Sequence, residues 1–206
     1  MGSFSTDRIK EYQRRYQFWS ERAVGQFSFS NNLLLTISIA TLGYFYKQGK
    51  EEFENLAIWL PCKNSFDLGS TLFSLGTIFT GASVIFGLVV TLARLYDFRL
   101  TRHITLIRKR VYIDHVKAFP NKTPTDKKSL RSLLDLMIIP FTYRNIKIAH
   151  TECQKFDDNL KSKFLNIRAL ANGFGNLSWV AFNFQFILFL LGIFSYLFFF
   201  LYRILY

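Results

Sequence analysis

The sequence predicts an all-α membrane protein in which three transmembrane helices extend into a cytoplasmic helical bundle. Three observations predict it. Uncharged runs of 20, 26 and 26 residues, at 27–46, 68–93 and 177–202, reach the length that a helix needs to cross a bilayer. The 206 residues include 24 Phe but only 19 % charged side chains, and mean hydropathy is +0.15, unlike a soluble domain. The charge is also unevenly placed: of a net +12, the segment 94–176 carries +10, from seventeen Lys/Arg and seven Asp/Glu. Lys and Arg near span ends remain on the cytoplasmic side. The N-terminus and 94–176 are therefore expected inside, with 47–67 and the C-terminus outside, in a multi-pass protein of the cell inner membrane.

Residues 1–26 read as a cytoplasmic amphipathic helix. Ile9, Tyr12, Tyr16, Trp19 and Ala23 recur at spacings of three and four, which makes one stripe. Arg8, Arg14, Arg15 and Arg22 lie off it, and Thr6 or Asp7 suits the N-cap. Such a helix either lies in the lipid interface or packs on other cytoplasmic helices. The first span, 27–46, carries Asn31 and Asn32 near its cytoplasmic end, where either water or a neighbouring helix can satisfy an amide. The outer segment 47–67 reads as a connector with Pro61 and an acidic group, Glu51, Glu52 and Glu54. Cys62 would lie outside and Cys153 inside, so the two cannot pair within one chain.

The second span, 68–93, differs from the others in its small residues. Ser70/Ser74, Gly76/Thr80, Thr77/Gly81 and Ser83/Gly87 are small-xxx-small pairs, a spacing that lets another backbone approach closely. Ser74, Thr77, Gly81, Ser83 and Gly87 are thus candidates for a packing face, within one chain or between copies, or for hydroxyls lining a pore. Past Ala93 the helical pattern continues with no breaker into Arg94, Arg99, Arg102 and Arg108-Lys109-Arg110. A helix from Leu68 to Arg110, of 43 residues, would extend about 65 Å, twice the hydrocarbon thickness.

The segment 94–176 reads as a basic cytoplasmic helical region. Leu100, Ile104, Ile107 and Val111 form a stripe for packing, and Asp97 is placed to pair with Arg94 or Arg102. Arg102, Arg108, Lys109 and Arg110 are the candidate contacts for an anion: a lipid headgroup, a nucleotide or a nucleic acid. Pro120 and Pro124 mark a loop. Leu130, Leu133, Leu134, Met137 and Ile138 follow as a short helix that Pro140 stops or kinks. From Tyr143 to Asn172 a near-heptad pattern holds Ile146, Ala149, Cys153, Phe156, Leu160, Ile167 and Leu170, broken at Lys163. Gly173 and Gly175 mark a hinge before the third span, 177–202. That span holds eight Phe and reads as lipid-facing, with Asn183 and Gln185 on different faces. The second span is then expected to be the central one, packed by the first and shielded by the third.

Catalytic signatures are absent: no P-loop, GxSxG, HExxH or GxGxxG occurs. His103, His115 and His150 are too widely spaced to share a metal, and Asp157-Asp158 reads as solvated. No enzyme, cofactor or metal is expected.

The amphipathic helix, the first two spans, and Leu95-Tyr-Asp-Phe-Arg-Leu-Thr-Arg102 running into a basic helix carry a resemblance in layout over residues 5–118. That layout resembles the bacterial SMODS- and SLOG-associated two-transmembrane effector domains. The resemblance implies an antiphage defence effector that perturbs the membrane, often as an oligomeric channel, on a signal made during infection. The expected function is accordingly an oligomeric, channel-like membrane effector in contact with lipid. The alternative is a non-enzymatic anchor that recruits a cytoplasmic partner through its helical region.

Overall fold

The computed structural model describes residues 3–48, 68–115, 128–154 and 157–205. The side chains of the Ile9–Ala23 stripe, the segment 49–67 with Cys62, the Pro120/Pro124 loop and Phe156 lie outside the described residues.

The chain folds as helices, α1 (Ser3–Gln48), α2 (Leu68–His115), α3 (Ser129–Ile146), α4 (His150–Cys153) and α5 (Asp158–Leu205), with no strand among the described residues. Two of them, α2 over Leu68–Val111 and α5, are long and apolar enough to cross a membrane. The 27–46 segment lies inside α1 but falls short of them in apolarity. Asn31, Asn32 and a set of hydroxyl side chains dilute its Leu and Ile.

The described residues form two compact units. The first, Met1–Val84 with Phe189–Tyr206, is a pairwise packing of three helices. Its core is Phe45, Phe73, Tyr196 and Phe199. Phe45 of α1 stacks on Tyr196 of α5, with ring centroids 3.6 Å apart and planes at 13°, while Phe73 of α2 meets both rings edge-on. Ser38 and Ser83 face each other, buried, at 3.5 Å. This corrects the expected central position of the second span. α1 touches α5 directly, and α2 keeps an outward face at Leu75 and Ile78. Three helices that pack pairwise each retain an outer side.

The second unit, Ile85–Leu188, holds the larger core. From α2 come Ala93, Tyr96, Leu100, Ile104, Ile107 and Val111, a stripe at spacings of three and four. The facing stripe on α5 is Leu160, Phe164, Ile167, Ala171, Phe174 and Leu177. Within this unit the two helices run antiparallel, since Phe86 meets Phe184, Tyr96 meets Phe174 and Arg108 lies over Phe164. Leu136 and Ile139 of α3, with Ile148 and Cys153, close the core from the side.

Three expectations for this region narrow or change. Of the stop or kink expected at Pro140, the stop does not occur, for α3 continues to Ile146. Gly173 and Gly175 make no hinge, because α5 runs through both. The pattern from Tyr143 to Asn172 is not one helix: the chain leaves the helix at Lys147–Ala149 and again before Asp158. The second restart has a clear local cause. Asp157 Oδ1 accepts the Leu160 backbone N–H at 2.8 Å, an N-cap that satisfies a donor the helix cannot. Asp158 pairs with Lys161 at 2.7 Å, and this partner draws its carboxyl below the usual range.

Candidate functional site

A cleft of about 860 Å³ opens in the second unit between one face of α2 and the break after α3. On α2 it is lined by Arg99, Arg102, His103, Leu106 and Arg110. At about 100° per residue these positions fall on one face of the helix, beside the core stripe. Tyr143 and Arg144 from the end of α3, then Lys147, Ile148 and Ala149 from the break, form the other wall.

The break exists because a side chain satisfies it. Ile148 is buried, and its N–H has left the helical ladder, where an unpaired donor would be costly. His103 Nε2 accepts that N–H at 3.1 Å. The bond fixes the tautomer, since an accepting Nε2 carries no proton. Burial, together with the cations Lys147 and Arg110, holds the imidazole pKa below its ordinary value. His103 is therefore neutral and acts as the pin that seats the break on α2.

Among the described residues five cations line the cleft, Arg99, Arg102, Arg110, Arg144 and Lys147, and no Asp or Glu does. Among the described residues none of the five has a carboxylate within ion-pair distance. Two nearby acids have other partners: Asp97 pairs with Arg94 at 3.6 Å and accepts from Thr101, and Glu152 pairs with Lys163 at 3.0 Å. Burial pushes the Asp97 carboxyl up, with Arg94 opposing. Arg94 also lies 5.8 Å over Trp179.

Of the four cations singled out in the sequence, Arg102 and Arg110 line the cleft. Arg108 points to the other side of the core stripe, 5.6 Å over the Phe164 ring, where burial and Arg168 work against its charge. Lys109 is exposed outside the cleft. Arg144 and Lys147 were missed, because only the return of α3 onto α2 brings them to this face, and His103 was weighed only as a metal ligand, because its Ile148 partner arrives by the same return.

In the small-residue face of α2, Ser74 is buried and donates to the Ser70 carbonyl at 2.7 Å. Thr77 donates to the Phe73 carbonyl at 3.0 Å and lies 3.1 Å from the Tyr196 hydroxyl. Ser83 faces Ser38, and Gly87 is buried in the second unit. Gly81 differs, with no atom near where a Cβ would stand. Asn31 and Gln185 are buried, whereas Asn32 and Asn183 are exposed. Among the described residues no three His, Cys, Asp or Glu side chains gather as metal ligands. No family model, no curated protein and no solved structure matches the chain.

Proposed function

We propose that the chain is an integral membrane effector that assembles with copies of itself and acts, without catalysis, as a channel-like disruptor of a bacterial inner membrane in antiphage defence. Three segments cross the bilayer, 27–46 within α1, 68–93 within α2 and 177–202 within α5. The N-terminus and the cation-rich segment 94–176 lie in the cytoplasm, and the C-terminus lies outside.

The observation that carries this reading is the continuity of α2. Its apolar segment and three of the cleft's arginines, Arg99, Arg102 and Arg110, belong to one helix, Leu68–His115, with no break between them. An anion held between Arg99, Arg102 and Arg110 and the facing Arg144 and Lys147 bears on the same rod that crosses the membrane. The outward side of α5 supports the placement, with Phe184, Ile187, Phe194 and Phe198 at least half exposed, as lipid-facing residues are. The outer face of α3 supports it too. Leu130, Leu134, Met137, Ile138 and Phe141 are 54–88 % exposed on one face, with exposed Arg131 and Arg144 at its edges. A helix of that pattern belongs at the headgroup boundary.

The alternative, an anchor that recruits a partner through 143–170, has less to use. Cys153, Leu160 and Ile167 of that stripe are buried in the chain's own core. The test is to induce the protein in bacteria under phage challenge while following membrane potential with a dye. Depolarisation before lysis is expected, and unchanged potential and growth under every trigger would overturn the reading.

A further inference from the structure

We propose that the cleft between α2 and the 147–149 break binds a ligand carrying at least two phosphate groups. The inference deepens the effector reading and rests on it only for placing the cleft in the cytoplasm.

Among the described residues five cations converge there with no acid in the lining. Like charges held together repel unless an anion joins them, and the anion must bring several negative charges to balance five positive ones. Four of the five are Arg, whose planar fork meets phosphate oxygens in pairs of charge-assisted hydrogen bonds. The fifth, Lys147, sits on the break that His103 fixes, so the two walls are held at a set separation before any ligand arrives. His103 adds no charge, since its Nε2 is already engaged. Its contribution is position.

Size sets the class of ligand. At about 860 Å³ the cleft is in the range of small-molecule sites and far too large for one inorganic phosphate. Tyr143 and Leu106 give it an apolar wall that suits the organic part of a phosphorylated molecule. An extended nucleic-acid strand fits less well, because binding a strand calls for a series of aromatic platforms, and Tyr143 is the single aromatic among the described residues of the lining. The shared chemistry is a di- or oligophosphate, whether from a soluble molecule or from a phosphorylated lipid headgroup.

The experiment uses the full chain in phosphatidylcholine nanodiscs and has two arms. In one, sodium tripolyphosphate is titrated by calorimetry. In the other, nanodiscs doped with phosphatidylinositol 4,5-bisphosphate report contact with a labelled headgroup. Each arm compares the wild type with Arg102→Gln/Arg144→Gln and with Lys109→Gln, which removes a charge outside the cleft. All three substituted side chains are exposed, and circular dichroism checks the fold. The expected result is binding in at least one arm that the double variant weakens about tenfold or more and Lys109→Gln less than about threefold. The arm that responds identifies the source. No binding in either arm, or equal losses in both variants, would overturn the proposal. So would a single-stranded oligonucleotide binding more tightly than either probe with the same arginine dependence. Neither arm reads conductance, so a failure here is separate from a failure of the effector reading, which membrane potential decides.

Discussion

Tyr196 covers Gly76 so closely that a Cβ on Gly76 would stand 2.8 Å from the ring. The contact has a reciprocal one turn along: a Cβ on Gly192 would collide with the Thr80 hydroxyl and come within 3.3 Å of the Gly76 carbonyl oxygen. Each helix thus supplies a glycine for the other's side chain, which is how small residues let helix backbones approach in lipid. The ring cannot step aside, because Phe45 stacks on one of its faces and Thr77 lies 3.1 Å from its hydroxyl.

Gly76→Ala is therefore expected to lower stability by about 1–3 kcal/mol, the usual cost of overfilling a packed site. Gly81 is the internal control, since the space beside it is open. Gly81→Ala is expected to leave the melting temperature in detergent unchanged or slightly higher, as alanine favours the helix. Equal losses in the two variants would mean that Tyr196 does not hold α2 and α5 together.

His103 makes the second unit sensitive to acid. Its folded pKa is held below the ordinary 6.5, first by burial and then by Lys147 and Arg110. In the window between the two values the unfolded chain binds the extra proton, so stability rises with pH there. The contribution is complete above about pH 6.5 and is lost as pH falls through the depressed folded value. His103→Gln keeps an acceptor for the Ile148 N–H and should flatten this part of the pH profile. His103→Leu leaves that donor without a partner and should cost about 1–3 kcal/mol at neutral pH. Hydrogen exchange at Ile148 distinguishes the two.

These consequences show which parts of the molecule were legible in the sequence. Leu100, Ile104, Ile107 and Val111 were readable as a core stripe because α2 is unbroken, and a constant 3.6-residue period needs no other information. Past Ile146 the same extrapolation held at Cys153, Leu160 and Ile167, which are buried, but not at Ala149. The chain leaves the helix at Lys147–Ala149, and each restart resets the phase, so Ile148 is buried where Ala149 was expected. By α5 the buried residue is Phe164, and Lys163 turns out to pair with Glu152. The cations follow the same logic. Arg108, Lys109 and Arg110 are adjacent in sequence, but successive residues point about 100° apart. Only Arg110 shares a face with Arg99 and Arg102. Arg144 and Lys147 reach that face through a tertiary return, which no local period encodes.

The outer face of α3 should report its own surroundings. Phe141 is 88 % exposed and stands amid Leu134, Met137 and Ile138 on the same face. If that face rests at the headgroup boundary, a Phe141→Trp variant in proteoliposomes will have blue-shifted emission, quenched by brominated acyl chains. Read as a difference from the parent chain and its three native Trp, a Trp at exposed Thr105, on the cation-rich part of α2, should add emission as in water that resists quenching. Two water-like difference spectra would place α3 away from the bilayer.

Continuity of α2 leads to the most demanding prediction. Phe98 lies between the apolar segment and the cleft, and its side chain is 69 % exposed, so replacing it opens no cavity. Phe98→Pro removes the N–H that helical geometry directs at the Arg94 carbonyl and sets the proline ring against that carbonyl. The local cost is about 3 kcal/mol. The wall at Arg99 to Arg110 and the apolar segment before Ala93 both keep their own side chains. If the unbroken helix transmits ligand occupancy to the membrane, the variant should still bind tripolyphosphate within about threefold of the wild type, because the cleft's charges are intact. It should no longer depolarise cells. Phe98→Ala, which preserves the backbone hydrogen bond, should behave as wild type in both assays. Binding and depolarisation lost together would indicate general misfolding. Depolarisation retained in the proline variant would sever the proposed link between the cationic cleft and the span that leads into it.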